Sequence, residues 1–450
     1  MRINAVLLAA GQGTRMRSKL PKVLHPLLGK PMIHYAVEAA QQVTGQKPVV
    51  VVGHGAQAIQ QALGDSARFV YQEPQLGTGH AVLQAEPLLK NEADFILVTY
   101  ADMPLLTPDT LQLIINTQQQ HSGPLTMLTV VADDPHGFGR IVRDEAGRVT
   151  AIVEEAQATP EQRAIRELNA SVYCFEARWL WEMLPRIPIS PKGEYYLTDL
   201  IGMAVADGLE VQSQGLADAQ EGIGINNRLH LAEAEALMRK RINHQWMLNG
   251  VTIVDPSSTY IETSVHIGMD TTIWPNTFLQ GATVVGEACN LGPNTIVRNS
   301  QLGDRCTVFA SILECAVVED EVDIGPYAHL RSGTHLGRGV HIGNFGETKN
   351  SSLGPGTKMG HFSYIGDATI GPNVNIGAGT ITCNFDGRQK NPTEIGEGAF
   401  IGSDTMLVAP VKIGVGARTG AGAVVTRDVP ENTLAVGVPA RAIRKLEKRG

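Results

Sequence analysis

No stretch of this chain is apolar for long enough to span a bilayer, so no membrane association through a transmembrane helix is expected. The N-terminal run Ala5-Val6-Leu7-Leu8-Ala9-Ala10 is too short for the apolar core of a signal peptide, and it leads directly into Gly11-Gln12-Gly13-Thr14-Arg15. It reads as a buried first strand instead. Cysteine is sparse: five residues, at 174, 289, 306, 315 and 383, with no CxxC pair. An odd and scattered set argues against a disulfide framework and against a structural zinc site, and it fits a reducing compartment. A basic excess is missing too. The net charge of −8 and pI near 5.9 leave no electrostatic footprint for nucleic acid as a partner.

What is there is enough chain for two cores, since 450 residues exceed one ordinary domain. The first half alternates strand-like and helix-like segments: strands at 5–10, 49–52 and 95–99, helices at 31–42 and 56–63. That alternation predicts a Rossmann-like α/β domain, a parallel sheet wrapped by helices over residues 1–227. Ligands of such sheets sit beyond the carboxyl ends of the strands, where both Gly11–Arg15 and Asp102 fall. Residues 228–248 contain no Pro or Gly, and Leu229, Ala232, Ala236 and Arg239 recur at helical steps. They read as a connecting helix, with a helix packed inside either domain as the alternative.

From residue 249 to 450 another period takes over. Ile267, Ile273, Leu279, Val285 and Leu291 recur every six residues, as do Leu353, Met359 and Ile365, Ile370 and Ile376, and Ile395, Ile401, Leu407 and Ile413. Many are followed by Gly, which accounts for much of the count of 48 glycines. An aliphatic residue followed by a small one every six positions is the hexapeptide signature of a left-handed parallel β-helix. Two segments break the pattern and are expected to be irregular: 382–394 as a protruding loop, and the polar stretch 344–350.

The candidate chemistry follows from placement. Gly11 and Gly13 let backbone N–H groups approach phosphate, while Arg15 and Lys22 supply cations for a triphosphate and for charge developing on transfer. A GxG loop alone is equally an ordinary strand-to-helix turn. Asp102 is a hard oxygen ligand suited to Mg²⁺, or a turn residue before Met103-Pro104. In the second half, His361 suits the base that acyl transfer to an amine requires, and Glu347 could orient its ring. A solvated surface histidine is the plain alternative.

The signature Leu8-Ala9-Ala10-Gly11-Gln12-Gly13-Thr14-Arg15-Met16, followed by Leu20 to His25, resembles sugar-nucleotide pyrophosphorylases. Together with Gln75–His80, Gly137–Ile141, Gly193–Asp199, Asn226-Asn227-Arg228 and the hexapeptide half, the whole chain is similar to the bifunctional bacterial N-acetylglucosamine-1-phosphate uridyltransferases and glucosamine-1-phosphate acetyltransferases. The resemblance implies two reactions. Glucosamine-1-phosphate is acetylated from acetyl-CoA, and UTP then donates UMP to N-acetylglucosamine-1-phosphate, releasing pyrophosphate. The product, UDP-N-acetylglucosamine, feeds peptidoglycan and lipopolysaccharide synthesis.

Carried over by position, the resemblance implies that Leu8, Ala9, Ala10, Gly11, Gln72, Gly77 and Thr78 hold the uridine end, with Tyr100 beside them. Arg15 and Lys22 face phosphates. Gly139, Glu154 and Asn169 bind the N-acetylglucosamine part, and Asp102 and Asn226 hold Mg²⁺. In the acetyltransferase half, His361 is the base and Glu347 its partner. Arg331, Lys349, Tyr364 and Asn375 bind the amino-sugar phosphate, and Ala378, Asn384, Phe385, Ser403 and Ala421 border acetyl-CoA. A cytoplasmic homotrimer is the family expectation.

The chain departs from the family pattern at Ala101 and Ser171, where Gly is usual, and at Ala170, where Thr is usual. It departs again at Phe385, where Tyr is frequent, at Gly346 and Asn350 in place of Val and Lys, and at Gly437, near an Arg of some relatives. Arg441 or Arg444 could replace that cation, or belong to a solvated tail. Two other readings stay open: a single-activity pyrophosphorylase whose β-helix serves assembly, and a non-catalytic scaffold that reuses both domains.

Overall fold

A computed structural model describes residues 1–132, 137–155 and 157–445. The chain divides into two compact units, Met1–Met238 and Arg239–Gly450.

In the first unit the main strands and helices run β1 (Ile3–Leu8), α1 (Met32–Thr44), β2 (Val49–Val52), α2 (Ala56–Leu63), β3 (Arg68–Tyr71), α3 (Thr78–Leu83), β4 (Phe95–Tyr100), α4 (Pro108–Gln120), β5 (Leu125–Val131), β6 (Arg140–Arg143), β7 (Val149–Val153), β8 (Glu167–Glu176), α5 (Asp199–Ala206) and β9 (Val211–Gly215), followed by α6 (Arg228–Leu248), which begins in this unit and ends in the next. The main sheet has the order β9-β5-β8-β4-β1-β2-β3. β1 lies between β2 and β4 and is parallel to both. The all-Val β2 is buried on both faces, as a central parallel strand between helices must be. α1 ends at Gly45, whose φ of 64° closes the last turn through its N–H on the Gln41 carbonyl.

The chain winds outward from β1 through β2 to β3, then returns to place β4 on the other side of β1. The strand order therefore switches direction between β1 and β4, which opens a crevice beyond their carboxyl ends. β8 is antiparallel to both β4 and β5, so this half of the sheet is mixed.

The second unit is the left-handed parallel β-helix. Its strands form three sheets of twelve, ten and nine strands, parallel except for the last strand of the twelve, which is antiparallel, and a coil advances through one strand of each. Tyr260 pairs with Phe278, His266 with Val284 and Thr272 with Asn290, so the aliphatic residues Ile261, Ile267 and Ile273 point inward from three successive faces. The repeat also continues through Val297–Ile342, where the earlier spacing is disturbed. Val297 pairs with Leu313, so that coil is shorter than three hexapeptides. A second inward position, two residues before the aliphatic one, takes small side chains such as Thr271, Cys289, Cys306 and Thr357. All five cysteines are free.

Two expectations need correction or refinement. The stretch 344–350 is not irregular: Gly346–Lys349 is a strand in register with its neighbours on both sides. Thr348, fully buried, fills the inward position, and its hydroxyl bonds that of Thr334 at 3.0 Å. A threonine is isosteric with valine, so it fills the column without an aliphatic signal in the sequence. Helix α6 spans the expected 228–248, but the division between the units falls within it, after Met238. Its second half belongs to the β-helix unit. Ile242 and Trp246 pack on the prism core, and Asn243 Nδ2 donates to the carbonyls of Pro256 (2.9 Å) and Thr259 (3.0 Å). A prism has an open apolar end, and this segment covers it.

Candidate functional sites

The first site forms where β1 and β4 end. The Ala101 N–H donates to the Leu8 carbonyl, and the Ala9 N–H to that of Val51, which fixes both loops to the sheet edge. Gly13 adopts φ +61, and a Cβ there would lie 2.6 Å from Lys22 Cβ. The glycine thus lets the loop fold down against Lys22, while Gly11 has no atom within 4 Å of such a Cβ. Arg15 sits in the short 3-10 turn Thr14–Met16 and donates to Asn226 Oδ1 at 2.9 Å. Lys22 Nζ donates to the same oxygen at 3.2 Å and forms a short ion pair with Asp102. The Ile225 N–H holds the Asp102 carbonyl at 2.9 Å. Four residues far apart in sequence, Arg15, Lys22, Asp102 and Asn226, therefore form one hydrogen-bonded cluster.

That cluster pairs two hard oxygen donors, Asp102 and Asn226, with two cations. Among the described residues no group of three His, Cys, Asp or Glu gathers as a protein-only metal cage. A carboxylate and an amide oxygen suit Mg²⁺, which keeps several waters and takes substrate phosphates as further ligands. The donor set fits.

A second group lies along α3. Gln72, 4% exposed, donates Nε2 to the Gly77 carbonyl at 2.8 Å. Gly77 packs on the segment Glu194–Leu197: the Gly79 N–H meets the Tyr195 carbonyl at 2.8 Å, and Thr78 Oγ1 accepts from the Leu197 N–H at 2.9 Å. The Tyr100 hydroxyl bonds Thr78, and burial raises its phenol far above the ordinary value, with the nearby Asp102 charge adding to the effect.

A third group joins Gly139, Glu154 and Asn169. A Cβ on Gly139 would lie 3.6 Å from Glu154 Oε1 and 3.8 Å from Asn169 Cβ. The Asn169 amide is locked by Tyr173, Nδ2 donating to its hydroxyl at 2.7 Å. Burial raises the Glu154 carboxyl, the neighbouring Asp199 raises it further, and Lys192 and Thr198 oppose them. Burial also raises Asp199. Sequence reasoning assigned no role to Lys192, Thr198 or Asp199, although 193–199 was one of the resembling segments.

The departures acquire physical content here. Ser171 adopts φ +58 within a β-bulge, the left-handed region that glycine occupies without strain. Its N–H donates to Asn169 Oδ1 at 3.0 Å, so the amide both stabilises the bulge and is oriented by it. Ala101 is fully buried against the sheet edge.

In the β-helix the expected residues lie on adjacent coils. Successive corners stack Gly343, Gly360, Gly377, Gly402 and Gly420. A Cβ on Gly343 would lie 2.0 Å from the Gly360 carbonyl oxygen, and one on Gly377 would lie 2.6 Å from the Ser403 nitrogen. The residues that follow these glycines therefore form one column: Asn344, then His361, Ala378, Ser403 and Ala421. The backbone bonds Gly379 N–H to Phe362 carbonyl, Asp404 to Ala378 and Gly422 to Ser403 hold it in step. From the catalytic candidate His361 onward the column is a run of small residues, a shallow track parallel to the prism axis. Asn375 is exposed just before this corner.

Glu347 does not meet His361. Its carboxylate accepts from Arg331 at 2.8 Å, and His361 is exposed and makes no side-chain hydrogen bond among the described residues. The cause is register: Glu347 lies in a strand between His329 and Tyr364, beside Arg331, while His361 lies before the next strand begins. Arg331, Lys349 and Lys390 crowd together, and Lys390 holds the Lys349 ammonium below its usual value, with Arg331 adding to this. Lys390 comes from the loop 384–392, shorter than the expected 382–394 because Ile381–Cys383 and Thr393–Ile395 are strands, and an isolated bridge in it pairs Phe385 with Lys390. Asn384, 7% exposed, donates to Asp367 Oδ2 at 2.6 Å and lies 3.5 Å from the Tyr364 hydroxyl. Phe385 is 62% exposed. A cavity of about 310 Å³ opens beside them, lined by Asn350, Asp367, Lys390 and Asn391 among others. Arg441 and Arg444 lie on a strand antiparallel to Thr433–Gly437, so they belong to an ordered hairpin.

Comparison with known proteins matches one family within each unit. Residues 5–171 match the MobA-like NTP transferase domain family, and residues 392–427 match the hexapeptide repeat of succinyl-transferase. The bifunctional protein GlmU of Heliobacterium modesticaldum is 48% identical over 96% of this chain and 94% of its own. GlmU of Geobacillus sp. (strain WCH70) is 46% identical over 98% and 96%, and that of Brevibacillus brevis 46% over 99% and 97%. The chain belongs to the bifunctional GlmU family.

Proposed function

We propose that the two units carry the two transfers that make UDP-N-acetylglucosamine, with the residue roles that follow. In the first unit a phosphate oxygen of N-acetylglucosamine-1-phosphate attacks the α-phosphorus of UTP and pyrophosphate departs. No protein nucleophile is needed, so catalysis is positioning and charge neutralisation. Arg15 and Lys22 bind the phosphates and meet the growing charge. Gln72, Gly77 and Thr78 hold the uracil end, and Gly139, Glu154 and Asn169 hold the sugar. Asp102 and Asn226 would hold Mg²⁺, which supplies neutralisation of the phosphate oxygens when bound. In the resting cluster Lys22 occupies the Asp102 carboxylate, so phosphate and cation binding exchange one set of ion pairs for another.

In the second unit the amine of glucosamine-1-phosphate attacks the acetyl carbonyl of acetyl-CoA. His361 accepts the amine proton, the C–S bond breaks, and the CoA thiol leaves. Arg331, Lys349 and Lys390 form the phosphate site, with Tyr364 and Asn375 beside it. Ala378, Ser403 and Ala421 leave the track open for the pantetheine arm, bordered by Asn384 and Phe385. Glu347 acts through Arg331, holding the guanidinium toward the phosphate. Self-association as a homotrimer along flat prism faces and a cytoplasmic location complete the reading. The five free thiols support the latter.

The observation that carries the first assignment is the joining of Arg15, Lys22, Asp102 and Asn226 in one cluster. Asp102→Ala is expected to lower uridyl transfer by about a hundredfold or more and to leave acetyl transfer intact. His361→Ala is expected to lower acetyl transfer by about a hundredfold or more and to spare uridyl transfer. Separate assays of each variant test this. Equal loss of both activities in either folded variant would contradict the division.

A further inference from the structure

The proposed uracil pocket contains a side chain with no assigned role, His80. It lies in α3, one turn from Gly77, with Nδ1 3.2 Å from Gln72 Nε2 and Nε2 3.1 Å from the Gln84 amide. The Gln84 amide nitrogen also donates to the His80 backbone carbonyl at 3.0 Å. Burial lowers the pKa of this imidazole, so near neutral pH the ring is uncharged and one nitrogen offers a lone pair.

The Gln72 amide nitrogen has two hydrogens: one meets the Gly77 carbonyl at 2.8 Å, and the other faces His80 Nδ1, which accepts it in the tautomer that carries the ring hydrogen on Nε2. Gln72 Oε1 accepts nothing from any described residue. The Gly77 N–H, five residues on, has no acceptor there either. The pocket therefore presents one acceptor and one donor.

Uracil's imide edge offers N3–H flanked by carbonyl oxygens, the complement of that pair. Cytosine offers an unprotonated N3 and an amino group, the reverse pattern. A rotated Gln72 amide would present a donor and suit cytosine. In this pocket rotation costs both hydrogen bonds of Nε2 and sets Oε1 against the Gly77 carbonyl.

We propose that His80 is a specificity-positioning residue: by accepting the second hydrogen of the Gln72 amide it locks Oε1 toward the base, and so makes the uridyltransferase prefer UTP over CTP. The proposal rests on the reading of Gln72 and Gly77 as base contacts. His80 touches neither the base nor the reacting phosphates in this account.

The test uses the full chain and measures kcat/KM for UTP and for CTP with N-acetylglucosamine-1-phosphate. His80→Phe keeps ring volume and removes both nitrogens. It is expected to lower the UTP-over-CTP ratio about tenfold through KM, with a smaller change in kcat for UTP. His80→Asn places an amide oxygen near the position of Nδ1 and is expected to restore most of the ratio. A packing role alone would not give this pattern, because Phe fills the space better than Asn. Gln72→Ala separates the base contact from the lock that orients it. If it alters the ratio while a folded His80→Phe does not, the base contact stands and the lock is overturned. If neither alters it, the base does not lie on Gln72, and both the lock and the reading beneath it fail.

Discussion

Lys22 is the residue on which the proposed nucleotidyl site turns. Its ammonium holds Asp102 and reaches Asn226, while the backbone of Gly13 closes over its Cβ. Little of this could be read from Lys22 itself. The Gly-Gln-Gly-Thr-Arg segment advertised a phosphate loop, and Asp102 advertised a strand end, but their meeting depends on β4 lying beside β1. Asn226 came only through resemblance, since an asparagine more than two hundred residues from Arg15 carries no local signal. At the other end of the chain, Arg441 and Arg444 were equally legible as a solvated tail. Their place in a hairpin with Thr433–Gly437 gives them a fixed backbone, which favours a role as contacts for the phosphates of CoA. Arg441→Ala with Arg444→Ala is expected to raise KM for acetyl-CoA about tenfold with little change in kcat, because such contacts are similar in ground and transition states. Steady-state kinetics at two salt concentrations measures this, and an unchanged KM would return the hairpin to a purely structural role.

At the scale of elements, the hexapeptide period made the β-helix legible wherever an aliphatic residue marked the inward position. It disappeared at Thr348 and Thr382, where threonine fills the same column, and around Val297–Val318, where steps shorten. The stretch 344–350 consequently looked irregular although it is a strand. The glycines carry a firmer message. Gly343 has no room for a Cβ, because the Gly360 carbonyl of the next coil would lie 2.0 Å away. Gly343→Ala must therefore push apart the coil that carries His361. We expect a loss of about 1–3 kcal/mol in β-helix stability, as for other overpacking, and a fall in acetyl transfer with uridyl transfer retained. Thermal unfolding and both assays check this. An alanine variant with unchanged melting and acetyl transfer would show that the corner yields without cost.

At the scale of the whole molecule, the two units should respond differently to pH. Burial lowers the pKa of His25, His34 and His80, all in the first unit. A histidine with a depressed folded pKa binds its proton more readily in the unfolded chain. Its stabilising effect is present above the unfolded value, about 6.5, and is lost as pH falls toward the folded value. The raised carboxyls Glu154 and Asp199 act in the opposite sense as pH falls through their own values. Acidification from about pH 7.5 to about pH 6 should therefore lower the melting temperature of the first unit. Scanning calorimetry across that range gives the sign, and a first unit stabilised by acid would contradict it.

One chain performing both transfers in sequence has a stoichiometric signature. The direct measurement mixes glucosamine-1-phosphate, acetyl-CoA, UTP and Mg²⁺ with the wild-type protein and follows CoA thiol, pyrophosphate and the sugar nucleotide. Thiol and pyrophosphate are expected in equal amounts, with UDP-N-acetylglucosamine as the product and no pyrophosphate once the metal is chelated. Pyrophosphate without thiol release, or thiol release without the sugar nucleotide, would show that only one of the two sites works and would contradict the account.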